Sequence, residues 1–315
     1  MCSTCGCGSG ELRIEGEVHE HESRHDGGTL HIHGHDGALS QVHAHGDEHG
    51  ARGLESGPAP MHSHAPGFAH VRMLKIEQDI LAKNDAYAAQ NRGAFGRRGI
   101  FAINLVSAPG AGKTALLVAT IKALAERRRI SVIEGDQQTT RDAERIRATG
   151  ARALQINTGK GCHLDAHMIG HGVARLDPRE DSILMIENVG NLVCPAAFDL
   201  GEAHKVVVLS VTEGEDKPLK YPDIFRRASL MLLNKIDLLP YLEFDVERCV
   251  VNAQRTNPDI GIIGVSAVTG EGIPAWLAWL EQGADRTHAA RRNNAQLPDA
   301  GPAVTEAAAA GGLVE

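Results

Sequence analysis

Short apolar runs alternate with stretches of helical periodicity along most of the chain. Runs rich in Val, Ile and Leu predict β-strands at residues 101–106, 130–133, 153–156, 183–186, 206–211, 230–233 and 260–265. In the stretches between them, apolar residues recur every three or four positions, which is the spacing of one helix face. This alternation is typical of a mostly parallel sheet flanked by helices, so we predict the α/β class.

Helical periodicity also precedes and follows this region. Apolar residues at near-helical spacing predict an amphipathic helix over residues 71–92, leading into the domain. A last predicted helix over residues 273–280 carries two tryptophans and is expected to close the core. The end of the chain after it is rich in Ala, Gly and Pro and is expected to be disordered.

The first 70 residues differ from the rest in composition. They are poor in large apolar residues and rich in Gly, His and acids, so burial cannot offset the entropy of ordering the chain. We therefore predict a disordered Cys/His-rich tail followed by a helical lead-in, one catalytic domain and a second tail. The expected boundaries are 1–70, 71–97, 98–282 and 283–315.

Composition and charge exclude several classes of protein. A formal charge of -8 with 3% aromatic residues argues against a nucleic-acid surface. No run approaches the roughly 18 apolar residues of a membrane helix, and the N-terminus lacks a signal peptide's apolar core. We therefore expect a cytoplasmic protein whose six cysteines stay reduced, so that clustered ones are candidate metal ligands.

The segment after the first predicted strand has the sequence of a phosphate-binding loop. Residues 107–114 are Ser-Ala-Pro-Gly-Ala-Gly-Lys-Thr, between a predicted strand and a predicted helix. Backbone amides there can point at phosphates, Lys113 is expected to reach the β- and γ-phosphates, and the Thr114 hydroxyl is expected to ligate Mg²⁺. Ser107 departs from the usual pattern, which has Gly. The nucleotide-binding residues predicted in this loop are Ser107, Gly110, Ala111, Gly112, Lys113, Thr114 and Ala115.

A second motif predicts guanine rather than adenine as the base. Asn234, Lys235 and Asp237 belong to an Asn-Lys-Ile-Asp sequence that follows a predicted strand. The Asp237 carboxylate can accept two hydrogen bonds from guanine, whereas adenine offers no matching pair of donors. The Lys235 stem is expected to cover the base, and Asn234 to brace the loop. Ser266 and Ala267 follow the last strand and resemble the loop whose backbone amide meets the guanine carbonyl oxygen.

A third motif resembles the switch of nucleotide hydrolases. Glu187 ends a buried predicted strand and begins Glu-Asn-Val-Gly, with Glu in place of the usual Asp. Glu187 is expected to hold Mg²⁺ through water, and the Gly190 amide to sense the γ-phosphate. Asp136 and Asp142 are further acids for Mg²⁺ or the attacking water, with their separate roles left open. Asn191 stands where some GTPases keep a water-orienting Gln, so we predict slow intrinsic hydrolysis.

Two segments of the N-terminal tail predict metal binding. Cys2, Cys5 and Cys7 lie within six residues and suit a soft or borderline cation. Twelve of the seventeen histidines lie in residues 19–70, and neutral imidazoles bind nickel, zinc and copper. The paired histidines singled out as ligands are His31, His33, His35, His43 and His45.

A second candidate metal site lies inside the domain. Cys162 and His163 are expected to open a helix, and Cys194 comes four residues after Gly190. If Gly190 moves with the γ-phosphate, Cys194 moves too, so that nucleotide state would change metal affinity. Three ligands leave a fourth position for water, or are shared across a two-fold axis. Cys249, in a predicted helix, is assigned to the core.

With these residues in hand, the chain resembles the HypB family of hydrogenase nickel-incorporation GTPases. The resemblance covers the Cys-rich start and nearly everything from about residue 71 to 281. Its distinctive segments are residues 134–138, 157–165, 187–195 and 210–218.

The resemblance implies a P-loop GTPase of the nucleotide-dependent dimer (SIMIBI) class that uses GTP, GDP and Mg²⁺. It implies nickel insertion into [NiFe]-hydrogenase with a HypA-type metallochaperone and the hydrogenase large subunit precursor as partners. It further implies a tight nickel site in the tail, a weaker nickel or zinc site beside a homodimer interface, and nickel storage by the histidines. The ligands of the two sites are Cys2, Cys5 and Cys7, and Cys162, His163 and Cys194.

Three alternative functions remain to be weighed. A urease or cobalamin-enzyme accessory GTPase shares the core, but the Cys-rich start and Cys194 speak against it. A metal-storage protein with GTP as a structural ligand is disfavoured by intact Lys113, Thr114 and Glu187. A zinc-delivery GTPase stays open because the same ligands accept both ions.

Overall fold

A nine-stranded sheet forms the centre of the computed structural model, which describes residues 11–14, 17–20, 70–136, 141–159 and 161–296. Its strands lie in the order β2-β1-β5-β4-β6-β3-β7-β8-β9, and β3 to β9 pair in parallel. The strands are β1 (Glu11–Ile14), β2 (Glu17–Glu20), β3 (Phe101–Val106), β4 (Ile130–Asp136), β5 (Arg152–Asn157), β6 (Ile183–Glu187), β7 (His204–Ser210), β8 (Leu230–Asn234) and β9 (Gly261–Val265). The predicted α/β class, with a mostly parallel sheet, is confirmed.

Helices cover both faces of the sheet. They are α1 (His70–Arg98), α2 (Lys113–Leu124), α3 (Arg141–Arg147), α4 (Ala166–Leu176), α5 (Cys194–Ala197), α6 (Lys217–Lys220), α7 (Pro222–Arg227), α8 (Val246–Thr256) and α9 (Ile273–Gln296), with a 3₁₀ helix at Ile236–Tyr241. Within the described residues, none of these helices has the length and apolar character needed to cross a membrane.

The central strand β3 shows why the sheet needs two helical layers. All six of its residues are buried, as expected for a parallel strand covered on both faces. Phe101, Ile103 and Leu105 join the core formed with α2 and α9, whereas Ala102 joins the core formed with α1 and α4. Alternate side chains therefore anchor opposite layers.

The buried amides of α1 attach this helix to the body of the domain. Asn84 donates to the Asp199 carbonyl at 2.8 Å and accepts from the Ala166 amide at 2.9 Å. Asn91 donates to the carbonyls of Ala166 and Leu200 at 2.7 and 3.0 Å. The helix thus contacts both the start of α4 and the loop after α5.

The expected N-terminal tail contains a short hairpin. Strand β1 pairs antiparallel with β2, and through Arg13 and Ile14 it pairs antiparallel with β5. Main-chain pairing with an otherwise open sheet edge orders this short segment, and the apolar content of the tail does not reveal such pairing. The other residues before α1, which include the predicted ligands of the tail, lie outside the described residues.

The expected disordered tail from Gly283 is wrong over its first fourteen residues, because α9 continues to Gln296. Gly283 lies so close to Phe101 that a Cβ would be 2.2 Å from the ring. Further along, Arg291 forms an ion pair with Asp181 at 2.9 Å. These contacts give the helix a surface to pack on, which local composition does not reveal. Residues 297–315 lie outside the described residues.

Candidate nucleotide and metal sites

A cleft of about 490 Å³ opens where β3, β4 and β6 end. These strands are neighbours in the sheet, so their carboxyl ends bring three separate segments together, at the usual place for a ligand in an open α/β sheet. Every residue to which the sequence assigned a catalytic role lines this cleft: Lys113, Thr114, Asp136, Asp142, Glu187 and Gly190. Gly110, Ala111, Gly112, Ala115 and Lys235 line it as well.

The phosphate-binding loop has the backbone that its glycines predict. Gly110 and Gly112 have φ values of 77° and 94°, which favour glycine. A Cβ on Gly112 would lie 2.6 Å from Asn234 Nδ2, so the loop packs directly against the end of β8. Lys113 Nζ donates to Ser107 Oγ at 2.6 Å. This hydrogen bond gives Ser107, the departure from the usual glycine, a role in holding Lys113.

The acids of the cleft are crowded and buried. Thr114 Oγ1 donates to Glu187 Oε1 at 2.7 Å, while Glu187 Oε2 is buried without a hydrogen-bond partner among the described residues. Burial raises the pKa of Glu187 to about 7. Burial and the charges of Glu187 and Asp136 raise the pKa of Glu134 to about 8. The cleft thus holds more carboxylate than Lys113 balances, and burial also lowers the pKa of that lysine.

Glu134 is a cleft residue to which the sequence assigned no role. It is 3% exposed, and its Oε2 also lacks a partner among the described residues. The available signal was an acid inside a strand that is otherwise buried, where charge is costly. Arg145 was missed too. It lines the cleft and pairs with Asp142 at 3.3 Å.

Two residues of the guanine motif contact the phosphate-binding loop. Asn234 Nδ2 donates to the Ala111 carbonyl at 2.8 Å, and Lys235 Nζ donates to the Gly110 carbonyl at 2.7 Å. Lys235 has a φ of 63°, a strained value for a residue with a side chain. Strained backbone of this kind is found most often at functional sites, which favours a functional role for this turn.

The other predicted base contacts lie beside the cleft. Asp237 is in the 3₁₀ helix after β8, and Ser266 and Ala267 follow β9, which pairs with β8. The Ser266 hydroxyl accepts hydrogen bonds from two amides of its own loop, at 3.2 and 3.1 Å. Asp237, Ser266 and Ala267 do not line the described cleft itself. They follow β8 and β9, whose carboxyl ends lie on the same edge of the sheet as the cleft.

Cys162, His163 and Cys194 meet at one point. Their ligand atoms all lie within 4.8 Å of one another. Both cysteines are half-buried, and the buried His163 ring packs on Phe198 with centroids 4.1 Å apart. Burial lowers the pKa of His163, which favours the neutral imidazole that binds metals. Two sulfurs and one imidazole form a donor set for a borderline cation.

The prediction that Cys162 and His163 open a helix is wrong. Helix α4 begins at Ala166, after Asp165 has capped it by accepting from the Met168 amide at 2.8 Å. An N-cap residue starts a helix more strongly than a neighbouring Cys or His does. The two ligands therefore lie in a bend before the helix.

The segment from Glu187 to Cys194 connects the cleft with the metal-ligand cluster. At Gly190 it packs on the phosphate-binding loop so closely that a Cβ would lie 3.1 Å from Pro109. Asn191 then donates to the Cys162 carbonyl at 3.4 Å. The two candidate sites are thus joined by eight consecutive residues.

Cys249 is not part of the cluster. As predicted, it is fully buried in α8, and burial raises its thiol pKa to about 12. The predicted ligands Cys2, Cys5, Cys7, His31, His33, His35, His43 and His45 lie outside the described residues.

Known proteins are similar in sequence to this chain over most of its length. Residues 101–263 match the family model described as CobW/HypB/UreG, nucleotide-binding domain. The hydrogenase maturation factor HypB of Azotobacter vinelandii is 61% identical over 282 residues, which cover 90% of this chain and 92% of that protein. The chain belongs to the HypB family. The resemblance drawn from its motifs is therefore confirmed.

Solved HypB structures have the same fold. HypB of Archaeoglobus fulgidus is 42% identical with a TM-score of 0.61, and the match covers 64% of this chain and 99% of that one. HypB of Helicobacter pylori, solved in complex with nickel, is 35% identical with a TM-score of 0.62, covering 65% and 97%. Both match over nearly their whole length.

Proposed function

We propose that this HypB-family protein is a GTPase that binds nickel and hands it over during [NiFe]-hydrogenase maturation. The observation that carries the proposal is the segment from Glu187 to Cys194, which begins in the nucleotide cleft and ends in the metal-ligand cluster. Family membership supports the hydrogenase role, and the nickel complex of the Helicobacter pylori relative supports nickel as the cargo.

The cleft residues fit hydrolysis of a nucleoside triphosphate. Amides of the phosphate-binding loop and the start of α2 would bind the phosphates, and Lys113 would neutralise charge between the β- and γ-phosphates. Thr114 and Glu187 would hold Mg²⁺, which supplies further neutralisation of the phosphates when bound. The unpartnered Glu187 oxygen and the crowded acids beside it fit a divalent cation.

Four further residues concern the choice of base and the rate of hydrolysis. Asp237 would select guanine through a pair of hydrogen bonds, with Ser266 and Ala267 at the base carbonyl. Asn191 stands at the position where some GTPases have a glutamine that orients water. Its side chain donates to the Cys162 carbonyl and accepts from the Val193 amide. We therefore propose slow intrinsic turnover, below about 1 s⁻¹ in a single-turnover assay without a partner.

The metal-ligand cluster is proposed as a transfer site. Two thiolates and one imidazole leave a fourth position for water, for a partner's ligand, or for a second copy of this chain. Both cysteines are half-exposed, and the neighbouring Val193 is 60% exposed, so the site is accessible from outside. We propose a homodimer formed at this face, with a HypA-type metallochaperone and the hydrogenase large subunit precursor as partners. Zinc fits the same ligands.

Metal titrations at two nucleotide states test this function. Nickel and zinc would be titrated into the protein loaded with GDP or a non-hydrolysable GTP analogue, alongside Cys162→Ala/Cys194→Ala. We expect affinity to depend on the nucleotide, and this dependence to vanish in the double variant but persist in the matched control Cys249→Ala. Identical isotherms in both states would leave a GTPase and an uncoupled metal site, with delivery controlled by a partner instead.

We also propose nickel storage by the His-rich tail. The support is the twelve histidines in residues 19–70, which include His31, His33, His35, His43 and His45. The Cys2, Cys5 and Cys7 thiols are proposed as a separate, tighter site. Deleting residues 19–70 should lower the number of nickel ions bound while leaving hydrogenase maturation unchanged at ample nickel. Loss of maturation under those conditions would assign the tail to delivery.

A further inference from the structure

We propose that four buried polar side chains position the metal ligands according to the state of the nucleotide cleft. The four residues, called here the polar relay, are Asn188, Asn104, Glu202 and Lys205. The inference rests on the proposed function, because it assumes that the cleft binds nucleotide and the cluster binds metal. It assigns the coupling between them to specific residues outside the three metal ligands and outside the phosphate-binding loop.

The polar relay begins next to the switch glutamate. Asn188 directly follows Glu187, lines the cleft and is 2% exposed. Its Oδ1 accepts from the amides of Val189 and Leu164, both at 3.0 Å. Leu164 directly follows His163, so the loop that carries two metal ligands is held by a side chain of the switch.

The middle of the polar relay crosses the central strand. Asn188 Nδ2 donates to Asn104 Oδ1 at 3.3 Å, and Asn104 is fully buried on β3. Asn104 Nδ2 in turn donates to Glu202 Oε1 at 3.2 Å. The other Glu202 oxygen accepts from the Leu200 amide at 2.6 Å. The switch is thereby connected to the loop that follows α5.

The far end of the polar relay holds the other ligand segment. Lys205 Nζ lies 3.8 Å from Glu202 Oε1 and donates to the carbonyls of Pro195 and Phe198, both at 2.9 Å. Pro195 directly follows Cys194, and Phe198 packs on the His163 ring. Lys205 therefore holds both ends of the short helix α5, which begins with the third ligand.

The four side chains of the polar relay are buried, with exposed fractions between 0% and 8%. Burying a polar group costs free energy unless the group forms hydrogen bonds inside the protein. A shift of Asn188 must either move the Leu164 amide with it or leave buried donors and acceptors unpaired. Because the same shift also acts on Asn104 and Glu202, both ligand segments respond to one displacement. Coupling of two sites requires an element of this kind, whose arrangement both sites can bias.

The decisive variant is Asn104→Ala, which removes the middle link. Binding of fluorescent GDP and of a fluorescent non-hydrolysable GTP analogue would be measured on the full chain with and without zinc or nickel. The same measurements in a Cys162→Ala/Cys194→Ala background subtract the effect of metal bound elsewhere. By reciprocity, the factor by which metal changes nucleotide affinity equals the factor by which nucleotide changes metal affinity.

We expect Asn104→Ala to lose the effect of metal on nucleotide preference. In the parent protein, metal at the cluster should change the preference between the two nucleotides by about fivefold or more. In Asn104→Ala this factor should fall to within about twofold of unity, while metal-free nucleotide affinity changes by less than about twofold. The matched control is Asn257→Ala, which removes an amide that donates to the Phe225 and Ala228 carbonyls, outside the polar relay. It should keep the full factor.

A second variant covers loss of folding. Glu202→Gln keeps the side-chain shape and should reduce the factor, and circular dichroism and melting curves would accompany each protein. An unchanged factor in a folded Asn104→Ala or Glu202→Gln variant would overturn the inference. So would a parent protein that binds metal at the cluster and nucleotide in the cleft without any coupling, a result that leaves the two proposed sites intact. Absence of metal at the cluster, in contrast, would overturn the proposed metal site and the inference together.

Discussion

The phosphate-binding loop and the metal-ligand cluster are assembled in opposite ways. The loop takes Lys113 and Thr114 from one short segment, whose backbone follows from local glycines with positive φ. The cluster takes Cys162 and Cys194 from segments 32 positions apart, which meet only because β5 and β6 end on the same edge of the sheet. One site depends mainly on local backbone geometry, and the other on long-range packing and buried hydrogen bonds.

This difference predicts how each site responds to change. A loop formed by local backbone geometry should tolerate disturbance at a distance but fail when one of its own side chains is removed. A cluster assembled from distant segments should respond both to loss of a ligand and to disturbance of its buried supports, among them Lys205 and Asn91. Four experiments test this contrast.

The largest effect is expected from Lys113→Ala. Removing this cation should lower the single-turnover rate of GTP hydrolysis by about a hundredfold or more, as for loss of one preorganised group that stabilises transition-state charge. The control is Lys122→Ala, an exposed lysine on the same helix. Metal affinity of the nucleotide-free protein should stay within about twofold in both variants. A large change in that affinity would show that the metal-ligand cluster depends on Lys113 even without nucleotide, against the contrast drawn above.

The next largest effect is expected from Asp237→Asn. GTP affinity should fall by roughly ten- to a hundredfold, since a hydrogen bond to a charged group contributes about 1.5–3 kcal/mol. Xanthosine triphosphate should lose less, because its C2 carbonyl can accept from the new amide. Competition binding measures both nucleotides, with the exposed Asp223→Asn as control. Equal losses for the two nucleotides would show that Asp237 does not contact the base edge.

The metal side of the contrast is tested by Cys194→Ala. Metal affinity at the cluster should fall by at least about tenfold, the loss found even for residues that only support a ligand. Metal-free GDP affinity should be unchanged. Chelator competition in a Cys2→Ala/Cys5→Ala/Cys7→Ala background removes the thiols of the tail. The matched control is the buried Cys249→Ala in the same background, in which metal held by the histidines contributes equally. An affinity equal to that of the control would remove Cys194 from the ligand set.

The smallest effect concerns the pH dependence of the cleft. The pKa of Glu134 is about 8 in the fold against an ordinary 4.5, so the folded chain binds more protons than the unfolded chain between these values. The stability that Glu134 contributes to the nucleotide-free protein is therefore fully present below about pH 4.5 and is lost as pH rises through about 8. Glu134→Gln removes this dependence. Its melting temperature relative to the parent should rise by a few degrees from about pH 5.5 to about pH 8.5.

The control for this experiment is Glu243→Gln, at an exposed position. Its melting temperature should follow that of the parent at both pH values. If Glu134→Gln did the same, burial and the neighbouring acids would not raise the pKa of Glu134, and a divalent cation in the cleft would lose its electrostatic support.

Elements with a local cause were predicted well. Strand β3 has the predicted bounds, because a run of apolar residues between a glycine and a loop motif has few other interpretations. The cleft residues Lys113, Thr114 and Glu187 were predicted from short motifs that fix their own backbone. Their roles as nucleotide and cation contacts remain predictions until the experiments above are done.

Elements with a distant cause were missed. The continuation of α9 past Gly283 depends on Phe101, nearly two hundred positions away. The bend at Cys162 was missed for a local reason, because Asp165 caps α4 and the helix begins at Ala166 instead of at Cys162. Pairing of β1 with β5 uses main-chain groups, which carry no signature in the side-chain pattern.

The sequence by itself determined the α/β class through its alternating pattern, and it determined the phosphate-binding loop and the guanine motif because each is encoded by spacing over a few residues. The tertiary structure was needed to show that Cys162, His163 and Cys194 meet at one point. Only the tertiary structure decided that Asn104, Glu202 and Lys205 connect the two sites. Along the chain they are isolated polar residues, within a strand or beside one. Their meaning arises from burial, since a polar group shielded from water must find its partner wherever the fold places one.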